Sequence, residues 1–176
     1  QLIKLINLGS HVLVEKPLFN NRKNLKQLKD VVSKSNKFLS IAYMMRFHPL
    51  IIKIKEIIDT NKYGKLISFN TKWGEYLPNW HPWEDYRTSY ASNKKLGGGV
   101  SLTLSHDIDL VIWLVNAKVY KTKHIKNFSS PLEIDVESGS DILYEFKNGV
   151  TGHSHLNYYS KYNERYYSFI FENATI

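Results

Sequence analysis

The chain has 176 residues, of which 43% are hydrophobic; this is enough for one large domain or parts of two and excludes wholesale disorder. It has no cysteine, which excludes disulfides, thiol chemistry and cysteine-ligated zinc and fits a cytoplasmic protein. The net charge is +8, but the lysines are spread out and no nucleic-acid-binding motif accompanies them, so we expect no nucleic-acid partner.

The two ends of the chain indicate a piece of something longer. The chain opens without methionine, in what reads as the last turns of a helix over residues 1–8, and it stops at residues 173–176, where a strand restarts. No apolar run is long enough to cross a bilayer, and the start lacks the features of a secretory signal. We expect a fragment with no membrane partner.

The first forty or so residues alternate helix and strand. The opening helix ends at Gly9. A short strand over 11–14, a helix with apolar residues at helical spacing over 25–32, and a second short strand over 38–42 follow. This alternation predicts βαβ topology and a parallel sheet, in a domain that covers residues 1–42.

The pattern changes from residue 43 onward. A helix near 51–58 and an alternating strand over 66–76 precede an irregular aromatic segment, and three glycines introduce an apolar helix that runs to about Val115. Four strands are then expected, over 119–128, 138–146, 150–158 and 165–171, with Asn148-Gly149 as a two-residue hairpin turn. The second domain, 43–176, is therefore predicted to hold an open, mostly antiparallel sheet covered by helices on one face.

Glu15-Lys16-Pro17 directly follows the first strand. Ligands of open α/β sheets bind just outside the carboxyl ends of the strands. Lys16, held by the proline behind it, is therefore a candidate acid/base or cofactor contact. The alternative is a surface lysine at an ordinary junction between strand and loop.

The glycine run and the helix after it supply a second candidate. Thr103 and His106 are three residues apart and are predicted to share a helical face. An imidazole can take or give a proton near neutral pH. The alternative is a buried histidine that bonds a backbone carbonyl.

The segment from Trp80 to Arg87 combines aromatic rings, carboxylates and a guanidinium group. Such a segment can bind a sugar, and Arg87 can clamp a phosphate or carboxylate. The alternative is a loop packed on its own sheet. His153 and His155 share a strand face that could ligate zinc, but no third ligand follows by spacing, so no metal site is expected.

These motifs, in this order, resemble the Gfo/Idh/MocA family of glucose–fructose oxidoreductases and inositol dehydrogenases. The matching stretches are residues 9–17, 43–49, 97–109 and 171–176, so the resemblance covers nearly the whole chain. It implies an NAD- or NADP-dependent oxidoreductase in which a Rossmann domain precedes an α/β domain. The fold class is then the tail of a Rossmann domain (1–42) followed by an incomplete α+β domain (43–176), with the phosphate-binding glycines upstream of Gln1.

The resemblance implies a role for each motif. Lys16 would contact the nicotinamide ribose and the reacting hydroxyl, Glu15 would be a cofactor-side contact, and Pro17 would hold the turn, with a cis bond as one option. His106 would be the acid/base for the substrate hydroxyl, and Arg46 would lie near the nicotinamide. The substrate contacts would be Trp80, Tyr86, Arg87, Thr103 and His106.

One departure from the family leaves alternatives open. Many members carry an aspartate where this chain has Thr103, and a threonine cannot take up a proton at neutral pH. The first hypothesis is a dehydrogenase of a sugar, cyclitol or nucleotide-sugar hydroxyl. The second is a cofactor- or sugar-binding regulator without turnover, and the third is an oligomerisation or interaction domain.

The resemblance also implies a homo-oligomer, because family members commonly associate through the outer face of the second domain's sheet. Aromatic side chains near the end of the chain are predicted to supply that surface: Tyr158, Tyr159, Tyr162, Tyr166 and Tyr167.

Overall fold

A two-stranded parallel sheet organises the amino-terminal unit, Gln1–Tyr43, in the computed structural model, which describes residues 1–19 and 23–176. Two helices, α1 (Leu2–Asn7) and α2 (Leu25–Lys34), alternate with two strands, β1 (Val12–Val14) and β2 (Leu39–Ile41). The strands pair in parallel with Leu13 opposite Ser40, and the helices bury Ile6 and Leu28. The predicted alternation and parallel pairing are confirmed.

The second unit, Met44–Ile176, is built on one five-stranded sheet. In chain order its strands are β3 (Leu66–Tyr76), β4 (Val119–Asn127), β5 (Gly139–Phe146), β6 (Thr151–Asn157) and β7 (Tyr159–Phe171). Their spatial order is β4-β5-β6-β3-β7. β3 and β6 run parallel and the other neighbouring pairs antiparallel, which confirms the predicted, mostly antiparallel sheet.

Three helices belong to this unit: α3 (Pro49–Asp59), α4 (Val100–Thr103) and α5 (Ser105–Val115). Pro49 starts α3, and His48 caps it by accepting a hydrogen bond from the Leu50 N–H at its Nδ1. Buried side chains of α3 and α5 pack with the aromatic residues of the sheet, Phe69 and Phe169 among them. The sequence predicted one continuous helix up to Val115, but the backbone breaks at Leu104 (φ −93°, ψ 25°).

The sheet has one helix-covered face and one outer face, and this divides the tyrosines near β7. Tyr162 and Tyr166 are exposed, at 85% and 48%. Tyr158 is fully buried, and Tyr167 packs against the core. The prediction that all five tyrosines supply outer surface is therefore wrong for two of them. Tyr167 packs inward because alternate residues of a strand point to opposite faces. Tyr158 precedes β7 and is buried in a core cluster with Leu156.

The hairpin between β5 and β6 lies where the sequence predicts it, but its turn differs. The Phe146 N–H donates to the Val150 carbonyl, so three residues connect the strands rather than two. Gly149 adopts a left-handed conformation (φ 86°) and Asn148 does not, which indicates a bulged three-residue loop. Among the described residues, no single helix is long and apolar enough to cross a bilayer; only the bent pair Lys94–Thr103 and Ser105–Val115 reaches that length and composition.

Candidate functional site

In the first unit, the candidate residues form a turn at the carboxyl end of β1. The Lys16–Pro17 peptide bond is cis, the option named for it from the sequence. Glu15 is exposed and Lys16 is half-buried. Burial lowers the pKa of Lys16, and the neighbouring Glu15 carboxylate partly offsets this shift. The turn therefore carries an amine that releases its proton more readily than an ordinary surface lysine.

In the second unit, the break at Leu104 separates Thr103 from His106, so the two residues do not share one continuous helix. His106 is half-buried in the first turn of α5, with its Nδ1 inside the protein. Thr103 is buried, and its side chain lies beside the hydroxyl of Tyr158. Burial raises the pKa of Tyr158, so this phenol remains protonated at neutral pH.

Next to His106, the fully buried carboxylate of Asp107 is paired with an arginine. Arg165 Nη2 donates to Asp107 Oδ2 at 3.0 Å, and its guanidinium carbon stands 3.9 Å from the centre of the Trp73 ring. Burial raises the pKa of Asp107, while the nearby Arg165 and a hydrogen bond from Tyr167 act to lower it. Sequence reasoning missed Arg165, although it shares the parity of the core residues Phe169 and Phe171 along β7.

Arg46, predicted as a cofactor contact, forms a two-point ion pair. Its Nε and Nη2 donate to the two oxygens of Asp109 at 2.8 and 2.5 Å, and its guanidinium lies over the ring of Trp113 at 5.7 Å. The geometry fixes the guanidinium plane and largely neutralises its charge. Sequence reasoning did not pair Asp109 with Arg46.

The aromatic segment after β3 places its predicted residues in two different settings. Trp80 and Tyr86 line a cavity of about 120 Å³. The Trp80 ring packs edge-on against Tyr158 with 5.5 Å between ring centres, which connects this segment to Thr103. Arg87 is not among the lining residues.

Arg87 instead makes surface ion pairs. Its Nη2 donates to Asp85 and its Nη1 to Glu133, both at 2.8 Å. The hydrogen bonds that Arg87 donates to these two carboxylates raise its pKa above the usual value. An anionic ligand at this guanidinium would therefore compete with two carboxylates.

The two histidines on β6 share a carboxylate on β5. His153 Nε2 and His155 Nδ1 lie 3.0 and 2.8 Å from Asp141 Oδ1. Burial raises the pKa of Asp141, but the bonds to both histidines outweigh it and hold that pKa below its usual value. Within residues 1–19 and 23–176, no three histidine, aspartate or glutamate side chains are arranged to hold a metal ion.

Comparison with known proteins relates both units to dehydrogenases. Residues 51–176 match the family model described as the GFO/IDH/MocA C-terminal domain. A relative from Comamonas testosteroni, 1-carboxy-3-chloro-3,4-dihydroxycyclo hexa-1,5-diene dehydrogenase, is 26% identical over 163 residues, which cover 90% of this chain and 38% of that protein.

Solved structures share the fold over 99% of the chain. The myo-inositol 2-dehydrogenase of Lactobacillus plantarum superposes with a TM-score of 0.83 at 19% identity, over 52% of its own length. An NAD-binding protein from Listeria innocua superposes with a TM-score of 0.80 at 21% identity, over 49% of its length. The chain thus spans about half of these structures and less than half of the curated relative.

Proposed function

Because the chain belongs to the Gfo/Idh/MocA family, we propose that the protein is an NAD- or NADP-dependent dehydrogenase that acts on a hydroxyl of a sugar, cyclitol or nucleotide sugar. The family match over residues 51–176 is the observation that carries this proposal. The curated relative and the inositol dehydrogenase are both named as dehydrogenases, and a further solved neighbour is named as NAD-binding.

The residues proposed to hold the nicotinamide end of the cofactor are Glu15, Lys16, Pro17 and Arg46. The turn that carries the first three suits a cofactor, because it follows the carboxyl end of a parallel strand and holds a half-buried amine. The ion pair with Asp109 would hold the Arg46 guanidinium in a fixed orientation towards the cofactor. When bound, a nicotinamide supplies the group that accepts or donates the hydride.

The remaining roles concern the substrate. Lys16 Nζ donates a hydrogen bond to the reacting hydroxyl, and the imidazole of His106 takes up the hydroxyl proton. Trp80 and Tyr86 offer ring faces and an apolar cavity to the sugar ring. Thr103 and Arg87 complete the proposed substrate contacts, Thr103 beside Tyr158 and Arg87 beside its two carboxylates.

Absorbance at the nicotinamide band tests this function. With the full-length protein, NAD or NADP and a panel of sugars and cyclitols, we expect turnover, and we expect Lys16→Ala and His106→Ala each to lower kcat by about 100-fold or more. Lys26→Ala, an exposed lysine on α2, is the matched control and should leave the rate unchanged. Rates that survive both substitutions would show that the residue roles are wrong.

A cofactor- or sugar-binding protein without turnover is the second candidate. Thr103 favours it, because its hydroxyl is buried against Tyr158 and cannot take up a proton as the aspartate expected from the family resemblance would. Binding of NADH or NADPH, followed by nicotinamide fluorescence, with no absorbance change for any sugar would select this candidate.

A homo-oligomer in the cytoplasm completes the proposal. Three exposed apolar side chains, Ile125, Leu143 and Tyr166, lie on the outer face of the sheet on three different strands. Exposed apolar side chains grouped on one face are typical of protein interfaces. The same face would serve the third hypothesis, in which association is the function of the domain.

A further inference from the structure

The outer face of the sheet carries a carboxylate that two histidines share. Asp141 Oδ1 lies 3.0 Å from His153 Nε2 and 2.8 Å from His155 Nδ1, and all three side chains are partly exposed. The lowered pKa of Asp141 keeps this carboxylate ionised at neutral pH. A carboxylate can only accept hydrogen bonds, so each histidine donates an N–H to it.

Asn157 fixes the position of the proton on His155. The Asn157 Oδ1 accepts from the backbone N–H groups of Tyr159 and Ser160 at 3.1 and 2.8 Å, and its amide nitrogen lies 3.1 Å from His155 Nε2. An amide nitrogen only donates, so His155 Nε2 accepts and carries no proton. A second proton on His155 would face the N–H of Asn157, which is buried. His155 is therefore held neutral, with its proton on Nδ1.

His153 is not restricted in this way. Its Nε2 bonds Asp141, and among the residues that the structure describes no group bonds its Nδ1. In the register of the sheet it lies between Leu143 on β5 and Asn70 on β3, neither of which is charged. An imidazole takes up its second proton between about pH 5 and 8. On His153 this proton turns the hydrogen bond to Asp141 into an ion pair and breaks no other bond.

The other charged and titratable side chains around this cluster do not neutralise Asp141. By the register of the strands, those on the same face are Lys72, Lys121, Lys123, Glu145, Glu164 and Tyr166. Lys72 is paired with Glu164, and within the described chain no lysine or arginine forms an ion pair with Asp141. Burial and the charge of Asp141 raise the pKa of Tyr159, so its phenol stays protonated.

The cluster lies on the face proposed for the contact between two copies of the chain. Leu143, an exposed residue of that face, is paired with His153, and both line a hollow of about 550 Å³. A second copy that fills the hollow removes His153, and the carboxylate that His153 bonds, from water. Burying a carboxylate beside neutral partners costs more than burying a hydrogen-bonded ion pair. The contact therefore favours the protonated form of His153.

We propose that self-association of the protein takes up one proton per subunit at His153, so that two copies associate more tightly in mildly acidic than in mildly basic solution. The inference rests on the homo-oligomer of the proposed function and adds its regulation. Since the proton is bound in the contact and released on separation, association strengthens as the pH falls.

Sedimentation velocity at pH 6 and pH 8 tests this coupling. We expect the dissociation constant of the wild type to be about tenfold or more lower at pH 6 than at pH 8. His153→Gln keeps an N–H for Asp141 but cannot become charged, so it should associate at both pH values as weakly as the wild type does at pH 8. A wild type whose association is the same at both pH values, a permanent monomer included, would overturn the inference.

Two further variants separate this cluster from other histidines. Asp141→Asn still accepts hydrogen bonds but has no charge to bury, so it should associate tightly at both pH values. His81→Gln is the matched control, because His81 is exposed and lies in the aromatic segment away from the sheet, and it should keep the pH response of the wild type. A response that survives His153→Gln would show that another group binds the proton.

Nitrogen-15 spectra of the imidazole rings give a readout at the level of the atoms. We expect His155 to keep a single proton, on Nδ1, from pH 8 to pH 6, and His153 to gain its second proton in that range. The loss of one ring's signals in His153→Gln identifies His153. A second proton on His155 instead would contradict the role given to Asn157.

The dehydrogenase assay is independent of these measurements. If the full-length protein turns over a sugar while its association does not change with pH, the proton-linked contact is wrong and the dehydrogenase assignment stands. If association responds to pH through His153 and no sugar is turned over, the contact stands and the dehydrogenase assignment is wrong.

Discussion

At the scale of single residues, Asp107 is a buried carboxylate that needs a positively charged partner. It is fully buried, and Arg165 on β7 donates a hydrogen bond to its carboxylate. The guanidinium of Arg165 also lies over the Trp73 ring and donates to the Tyr167 hydroxyl at 2.8 Å. Burying a carboxylate without a partner is costly, because the interior solvates charge poorly. Arg165 therefore stabilises the start of α5, the helix that carries His106.

Arg165→Met tests this role while it keeps an unbranched apolar chain on Trp73. We expect the variant to lose about 3–5 kcal/mol of unfolding free energy at pH 7, because it leaves a buried charge unpaired. Urea denaturation measures the change. The double variant Asp107→Asn with Arg165→Met should recover most of the loss, and an unrecovered loss would count against an electrostatic role.

The same variant should respond to pH. Burial raises the pKa of Asp107, so the folded state binds a proton that the unfolded state releases above about pH 4, and stability falls as pH rises through that window. Without Arg165 the pKa rises further. The destabilisation by Arg165→Met should therefore be smaller at pH 4 than at pH 7, and a loss independent of pH would contradict this.

Sequence reasoning identified the residues of local motifs better than their partners. The Lys16–Pro17 turn is encoded by adjacent residues, and so is its position after β1. The ion pairs of Arg46 and Arg165 join residues 63 and 58 positions apart. The position of Arg165 depends on how β7 aligns with β3, whose register shifts twice, and no local pattern fixes that alignment.

At the scale of elements, periodicity located the strands and helices because it reflects which side chains face the core. It could not reveal the break at Leu104, since the apolar residues continue on both sides of it. Nor could Asn148-Gly149 distinguish a two-residue from a three-residue turn, because glycine permits the left-handed conformation in either.

Gly152 on β6 leaves room for the ring of the core residue Phe69. It lies opposite Phe69 on β3, and a Cβ built on it would come within 2.2 Å of the Phe69 ring. We expect Gly152→Ala to destabilise the protein by about 1–3 kcal/mol, because the ring must leave its packed position. Thermal or urea unfolding measures the loss.

Phe69→Leu supplies the control for Gly152→Ala. A smaller side chain at position 69 gives the added methyl room, so the double variant should be more stable than the sum of the two single losses predicts. Simple additivity would mean that the two residues do not compete for the same space.

At the scale of the whole molecule, the outer face of the sheet predicts association. Leu143 lies on this face and is 50% exposed. We expect Leu143→Arg to shift the protein towards monomer in sedimentation velocity, because a charge would be buried at an apolar contact. Leu50→Arg on α3, a site that is 68% exposed, is the control. A wild-type protein that stays monomeric at high concentration would contradict the proposed oligomer.

The order of the strands was the part of the fold that sequence reasoning did not provide. Consecutive strands suggested an antiparallel sheet but no order, and in the structure β3 lies between β6 and β7 and pairs with the first in parallel and the second antiparallel. Which distant strands pair depends on how whole faces match, and a single sequence carries little of that information.

The position of β3 inside the sheet, with a partner strand on each edge, has a consequence for synthesis. Ser68 pairs with Thr151 and Tyr76 with Tyr159, so both edges of this strand stay bare until about eighty further residues have been made. Open strand edges invite pairing with other chains. During translation, nascent polypeptides that have not yet emerged through β7 should be the ones that depend on chaperones, and a stop codon before Tyr159 should yield inclusion bodies rather than a smaller folded domain.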